Sequence, residues 1–141
     1  MKISTKGRYA LRMMIELAIR GNQEYVSLKD VSASQAVSDK YSEQIINQLN
    51  KAGFVKSTRG SKGGYMLANA PKDYTVGMIL RLMEGSLAPV ACIESKVNQC
   101  ERSSECVTVE VWEKINDAIN NVVDNITLED LVNRYHEKNN K

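Results

Sequence analysis

The sequence of 141 residues is poor in several residue types, with two prolines, one tryptophan, one phenylalanine and one histidine. It has no apolar run close to the roughly 20 residues that a membrane-crossing helix needs, and residues 1–6 lack the apolar core of a secretory signal. We therefore expect a cytoplasmic protein that does not contact a membrane. Because it also lacks a Cys-x-x-Cys pair, a histidine near a cysteine and a glycine-rich cofactor loop, we do not expect an enzyme.

Basic and acidic residues are distributed unevenly along the chain. Residues 1–75 hold twelve Lys and Arg against six Asp and Glu, a balance of +6, and residues 76–141 hold seven against eleven, a balance of −4. The basic half is typical of a domain that faces a polyanion such as nucleic acid, whereas the acidic half indicates a different task. The length suits one compact domain, or one small domain with an oligomerisation arm.

Capping residues and apolar periodicity predict a helix-turn-helix in the basic half. Ser27 and Ser38 are typical N-cap residues, and they open two short helices that extend to about residues 34 and 52. The short turn at 35–37 separates the two helices, as in a helix-turn-helix motif. A longer amphipathic helix over residues 4–20 precedes them, and the Gly-Asn pair at 21–22 is expected to end it.

A β-hairpin is predicted directly after these helices. Residues 54–58 and 65–67 are strand-like, and a glycine-rich turn joins them. A hairpin in this position is typical of the wing of a winged helix-turn-helix domain. Arg59 and Lys62 lie at its tip, where glycines allow the backbone to approach a phosphate closely and the two cations attract it.

The helix predicted over residues 38–52 is the candidate recognition helix. Its first turns present polar side chains of the kinds that read base edges: Gln pairs with adenine, Glu accepts from cytosine and Lys donates to guanine. A merely solvated helix face is the alternative for this helix alone, but the wing and the basic half favour DNA. The residues that we predict to contact DNA are Lys40, Glu43, Gln44, Arg59 and Lys62.

The acidic half predicts three further helices, over residues 76–84, 104–125 and 128–136. In the long middle helix, apolar residues including Trp112 recur at three- and four-residue steps, and this stripe exceeds what a small core can cover. The rest of the same chain could cover this stripe. We expect instead that a second copy of the helix covers it, which gives a two-fold dimer. Such a dimer would bind a pseudo-palindromic DNA site, with half-sites about 10.5 bp apart or a multiple of that distance.

All three cysteines lie in one short segment, with the spacing Cys92-x7-Cys100-x5-Cys106. In a reducing compartment this clustering favours metal ligation or redox chemistry over disulfides. Thiolates are preferred ligands of iron–sulfur clusters and of zinc. By spacing alone, a cluster, zinc and unconnected thiols stay open as alternatives. The candidates for a fourth ligand are Glu105 and Glu110, and solvent or a partner chain are further options.

These observations predict a mainly α fold with a small β-hairpin. We divide it into a winged helix-turn-helix DNA-binding domain (1–85), a cysteine-bearing cluster-binding loop (86–106), and a dimerisation helix with a C-terminal helix (107–141).

Over nearly its whole length the sequence closely resembles the winged-helix regulators of the IscR type, which sense iron–sulfur cluster status. The wing is the most specific of the shared features, and the cysteines decide the subgroup. The matching segments are KGRYA at 6–10, YSEQI at 41–45, RGSKGGY at 59–65, the three cysteines before a long helix with Trp112, and ITLEDL at 126–131.

The resemblance implies a homodimer that binds DNA and whose affinity or site choice changes with cluster occupancy. It implies base contacts by Glu43 and Arg59, with Gln44 beside them, and a [2Fe–2S] cluster held by the three cysteines. The sequence departs from the family pattern in its longer first cysteine gap and in Val109, which stands where the family has a histidine three residues after the last cysteine.

We therefore expect a dimeric transcription regulator that senses iron–sulfur cluster status and whose fourth cluster ligand is unidentified. The alternatives are a regulator of the same fold that responds to nitric oxide, thiol oxidation or sulfur supply, and a zinc-stabilised DNA-binding module.

Overall fold

A computed structural model of the chain describes residues 2–20, 24–95 and 100–140. None of the helices in these ranges is long and apolar enough to cross a membrane. Short 3-10 turns lie at Pro71–Asp73 and Ala91–Ile93. The helices and strands in chain order are α1 (Thr5–Arg20), α2 (Leu28–Gln35), α3 (Asp39–Lys51), β1 (Val55–Thr58), β2 (Gly64–Leu67), α4 (Val76–Glu84), α5 (Val109–Val123) and α6 (Leu128–Asn139).

Local capping chemistry forms the helix-turn-helix of α2 and α3. The Ser27 side chain accepts a hydrogen bond from the Asp30 amide at the start of α2, and Ser38 accepts one from the Tyr41 amide at the start of α3. Between the helices Ala36 adopts a left-handed conformation with φ of 56°, which ends α2. The predicted helix-turn-helix is therefore confirmed, whereas the predicted end of the first helix at 21–22 lies outside the described residues.

The wing is an antiparallel hairpin in which Val55 pairs with Leu67 and Thr58 with Gly64. The sequence did not indicate that a third segment joins it: Val26 and Tyr65 exchange two backbone hydrogen bonds of 2.8 Å. A side chain at Gly64 would overlap the Val26 carbonyl, so glycine permits this close approach. The segment before α2 thus fixes the wing relative to the helix-turn-helix.

The main core lies between α1, α3 and the hairpin, and α6 returns to it. Met13, Leu17 and Ile45 are fully buried there, and so is Leu128 at the start of α6. Burying a side chain of this size stabilises the fold by about 1.5–3 kcal/mol. The Leu128 amide also donates to the Tyr74 carbonyl at 2.9 Å. The predicted three-part division of the chain stays a prediction, but α6 packs on the N-terminal half.

The long helix is shorter than the sequence predicted. It was expected over residues 104–125, but α5 begins at Val109 and ends at Val123, so the expected helix over 104–108 is wrong. Residues 101–105 form turns instead, and the Glu105 amide donates to the Arg102 carbonyl. Three consecutive β-branched residues at 107–109 disfavour extending the helix towards its N-terminus, because such side chains lose χ1 freedom in a helix.

Candidate DNA-binding surface and cysteine segment

Helix α3 divides sharply into a buried and an exposed face. Ile45, Ile46 and Leu49 are at most 1% exposed and hold the helix in the core. The opposite face is polar and exposed, and it carries Asp39, Lys40, Glu43, Gln44 and Asn47. The three α3 residues predicted to read bases are therefore on the free face of the helix.

Helix α1 supports the start of α3 through an aromatic contact and the end of α2 through polar contacts, none of which the sequence revealed. The rings of Tyr9 and Tyr41 meet edge to face, with centroids 5.9 Å apart. The Arg12 guanidinium lies 5.1 Å from the Tyr9 ring centroid and donates to the side chain and carbonyl of Gln35 at 2.8 and 3.1 Å. Arg12 thereby gives the Gln35 carbonyl at the end of α2 a hydrogen-bond donor and holds α2 against α1.

The wing tip is exposed, and it holds the other two predicted DNA-contacting residues, Arg59 and Lys62. A side chain at Gly63 would come within 2.5 Å of the Thr58 carbonyl oxygen, so the tip depends on glycine for its tight path. The Phe54 amide donates to the Leu49 carbonyl at 2.9 Å, which joins the end of α3 to the wing. We call Lys40, Glu43, Gln44, Arg59 and Lys62 the DNA-binding face; their contacts with DNA stay a prediction.

The three cysteines do not form a ready ligand group. Cys92 and Cys106 are half-buried and Cys100 is exposed, and no disulfide joins any two of them. Among the described residues, no three side chains of Cys, His, Asp or Glu are placed to share a metal ion. The candidate fourth ligands Glu105 and Glu110 are exposed. The chemistry of the thiols suits an iron–sulfur cluster, but their arrangement in this structure does not gather them.

Cys106 lies three residues before α5 in surroundings that favour its thiolate. Its sulfur is 3.2 Å from the Thr108 hydroxyl, and this hydrogen bond is the main cause of a lowered pKa of the thiol. The backbone amide of Val109 contributes next, and Arg102 contributes least. Hydrogen bonding, and not the charge of Arg102, is therefore the main cause of the lowered pKa of this thiol.

Helix α5 has two apolar faces, and one of them is exposed. Towards α4, Ile119 and Val123 pack on a small cluster that includes Val76 and Leu80. The other face follows steps of four, three and four residues, and each of its members is exposed. We call it the α5 stripe; it consists of Val111, Ile115, Ala118 and Val122.

A helix-turn-helix with a polar outward face, continued without a break into a basic, glycine-tipped hairpin, defines the winged helix-turn-helix class of DNA-binding proteins. Comparison with known proteins narrows that class. The chain belongs to the Rrf2 family, described as iron-dependent transcriptional regulators, whose family model matches residues 3–134.

Individual relatives span most of the chain. The transcriptional regulator CymR of Bacillus subtilis is 44% identical over 131 residues, covering 93% of this chain and 89% of that protein. The regulator IscR of Pectobacterium carotovorum is 35% identical over 133 residues, covering 94% of this chain and 80% of that protein. The solved structure of T. potens IscR superposes with a TM-score of 0.79 at 41% identity, covering 98% of this chain and 90% of that one.

These similarities confirm the expected resemblance to IscR-type regulators and the predicted winged-helix fold. The family and the relatives named above are transcription regulators and not enzymes, as the sequence predicted. The chain is therefore a DNA-binding transcription regulator of the Rrf2 family.

Proposed function

We propose that this regulator acts as a cytoplasmic homodimer on a pseudo-palindromic DNA site and senses iron–sulfur cluster status through Cys92, Cys100 and Cys106. The observation that carries the DNA part of the proposal is the DNA-binding face, whose α3 side chains and wing cations are all exposed. The cations of the wing would contact phosphates or a groove wall, and the polar side chains of α3 would contact base edges.

The α5 stripe supports the homodimer. Val111 is 49% exposed, Ile115 is 38% exposed and Val122 is 57% exposed, and apolar side chains at such steps on one helix face are typical of helix pairing. A two-fold axis through paired α5 helices would give the dimer two DNA-binding faces. Selection of duplexes from a random-sequence library tests this: enriched sites should be inverted repeats with one preferred spacing.

Three thiols in one segment next to a helix start support the cluster. When bound, a cluster supplies a group that responds to oxidants and to iron supply. Because the cysteines are not gathered here, segment 92–106 would rearrange on loading. Its own residues would then act as thiolate ligands, and a carboxylate such as Glu105, solvent or a partner chain would complete the set.

Anaerobic purification tests the cluster directly. The protein should be coloured, with iron and sulfide in equal amounts and about one cluster per chain, and replacement of any one cysteine by serine should remove the colour. Colourless protein with stoichiometric zinc would contradict cluster sensing and favour a zinc-stabilised module.

A second candidate is a regulator that responds to thiol oxidation or sulfur supply without a cluster. Two observations favour it: Cys106 has a lowered thiol pKa, and a relative of known structure, CymR of B. subtilis, is described as the global cysteine regulator, at 41% identity and a TM-score of 0.79. Binding experiments on metal-free protein distinguish a thiol sensor from a cluster sensor. If peroxide treatment of the metal-free protein changes its DNA affinity and Cys106→Ser abolishes this change, the thiol is the sensor. If DNA affinity changes only after reconstitution with iron and sulfide, the cluster is the sensor.

A further inference from the structure

Only a small part of α5 packs against the winged-helix half. Helix α5 packs chiefly against α4 and the turn Ala91–Ile93, and Val109 is the single residue of this fully described helix that is buried. The small apolar cluster that includes Val76 and Ile119 contributes a non-directional attraction between the two helices. Directional contacts between α4 and α5 therefore add a constraint on the angle between them.

Arg81 makes those directional contacts. Its guanidinium donates from Nη1 to Asp124 Oδ1 at 2.5 Å, and from Nη2 to Asp124 Oδ2 at 3.0 Å and to Asn120 Oδ1 at 2.7 Å. Both acceptors lie at the C-terminal end of α5, one turn apart. A planar guanidinium that forks onto a carboxylate and an amide fixes direction as well as distance. We call these three residues the Arg81 clamp.

The backbone of α4 leaves room for the Arg81 clamp at Gly77. A side chain there would overlap the Asp124 carboxylate and come within 2.6 Å of Arg81 Nη1. Gly77 is the second residue of α4, and the close approach of Asp124 is a packing reason for glycine at this position.

The Arg81 clamp is too exposed to be mainly a stabilising feature. The side chains of Arg81 and Asp124 are 36% and 44% exposed, and exposed ion pairs contribute little net free energy of folding. The bidentate geometry instead fixes the orientation of the end of α5 relative to α4.

We propose that Arg81 is a positioning residue for DNA recognition: by holding the C-terminal end of α5 against α4, it sets the angle between the dimerisation helix and the winged-helix half, and hence the spacing between the two DNA-binding faces of the dimer. This rests on the proposed function, in which α5 pairs with its copy. It predicts that losing the Arg81 clamp changes which half-site spacing is preferred, while one DNA-binding face by itself is unaffected.

The test uses the full chain and duplexes that the unaltered protein enriches from a random-sequence library. Each duplex is resynthesised with the half-sites moved by one or two base pairs, and as a single half-site. Arg81→Gln removes the fork, and Gly77→Ala displaces Asp124 without altering any member of the Arg81 clamp. The matched control is Arg134→Gln, which removes an exposed ion pair to Glu137 of 3.0 Å within α6.

We expect Arg81→Gln to bind the best-spaced duplex roughly tenfold more weakly, to discriminate less between spacings, and to bind a single half-site within about twofold of the unaltered protein. Gly77→Ala should behave in the same way and Arg134→Gln should not.

If Arg81→Gln retains the original spacing profile, the proposal is overturned. If this variant does not fold, the spacing profile of Gly77→Ala decides by the same criterion. If the unaltered protein enriches no DNA, or binds a single half-site as tightly as two, the proposed dimeric function itself fails.

Discussion

At the scale of single residues, the geometry of Cys106 has a measurable chemical consequence. The Thr108 hydroxyl lowers the pKa of the thiol, so a larger fraction is thiolate near neutral pH. In metal-free protein, the alkylation rate of Cys106 should therefore rise with pH at a lower midpoint than for an unperturbed thiol. Thr108→Val should move the midpoint upwards, because the donor is lost, whereas Thr108→Ser should keep it. Peptide-resolved mass spectrometry after iodoacetamide treatment measures these rates, and equal midpoints for the Val and Ser variants would contradict the assignment.

Two residues of the DNA-binding face should behave differently when replaced by alanine. Arg59→Ala should weaken binding to the selected site by about 1–3 kcal/mol, because a cation at a base or groove wall is lost. Glu43→Ala should chiefly relax sequence choice, because a carboxylate desolvated beside DNA rejects unsuitable bases. Binding titrations against matched and mismatched duplexes measure both. Lys138→Ala on α6 loses the same charge as Arg59→Ala and is the control; equal losses for these two would show that Arg59 acts only through net charge.

At the scale of helices and strands, sequence and structure agree where the determining contacts are local. Ser27 and Ser38 were each predicted as N-caps, and each side chain accepts a hydrogen bond from the amide three residues further on. A cap is a contact between near neighbours, so residue type and spacing suffice to predict it. The glycine-rich wing could be predicted for the same reason.

Contacts between distant segments were not predictable in this way. Val26 joins the wing as a third segment, Leu128 enters the main core, and Arg81 reaches Asp124 on another helix. None of these pairings leaves a periodic pattern, because each depends on how whole elements pack. The start of α5 was misplaced for a related reason: the apolar periodicity continues into residues 104–108, where turns form instead.

The pairing of Val26 with the wing gives a prediction for this element. Gly64→Ala should detach the wing, because the new methyl group would overlap the Val26 carbonyl, and overpacking of this kind costs about 1–3 kcal/mol. Hydrogen exchange should show faster exchange of the Val26 and Tyr65 amides, and DNA affinity should fall. Gly53→Ala is the control for backbone strain alone. Gly53 has a positive φ of 77°, which alanine disfavours, but no described atom lies within 4 Å of the added carbon. If both variants protect these two amides equally, Gly64 is not needed for the close approach.

At the scale of the whole molecule, α5 contacts both helix α4 and the turn Ala91–Ile93, which holds Cys92. One face of α5 contacts α4, and its N-terminal end lies three residues after Cys106. Arg81 and Asn120 of the Arg81 clamp also line a cleft of about 410 Å³ together with Ile93 and Glu94, which follow Cys92. A change in the cysteine segment would therefore reach the same helix that holds the dimer in the proposed function, and this is a physical route by which the proposed sensing would affect DNA binding.

Dimerisation through the α5 stripe is the prediction on which this route depends. Ile115→Glu places a charge in the middle of the stripe, where pairing would desolvate it, so the variant should be monomeric at micromolar concentration. Because Ile115 is 38% exposed in the single chain, the fold should persist, with unchanged helical circular dichroism. Ile3→Glu is the matched control, since Ile3 is 39% exposed and lies outside α5. Sedimentation equilibrium should then give a dimer for the unaltered protein and the control, and a monomer for Ile115→Glu; a dimer in all three would place the interface elsewhere and leave the stripe without a partner helix.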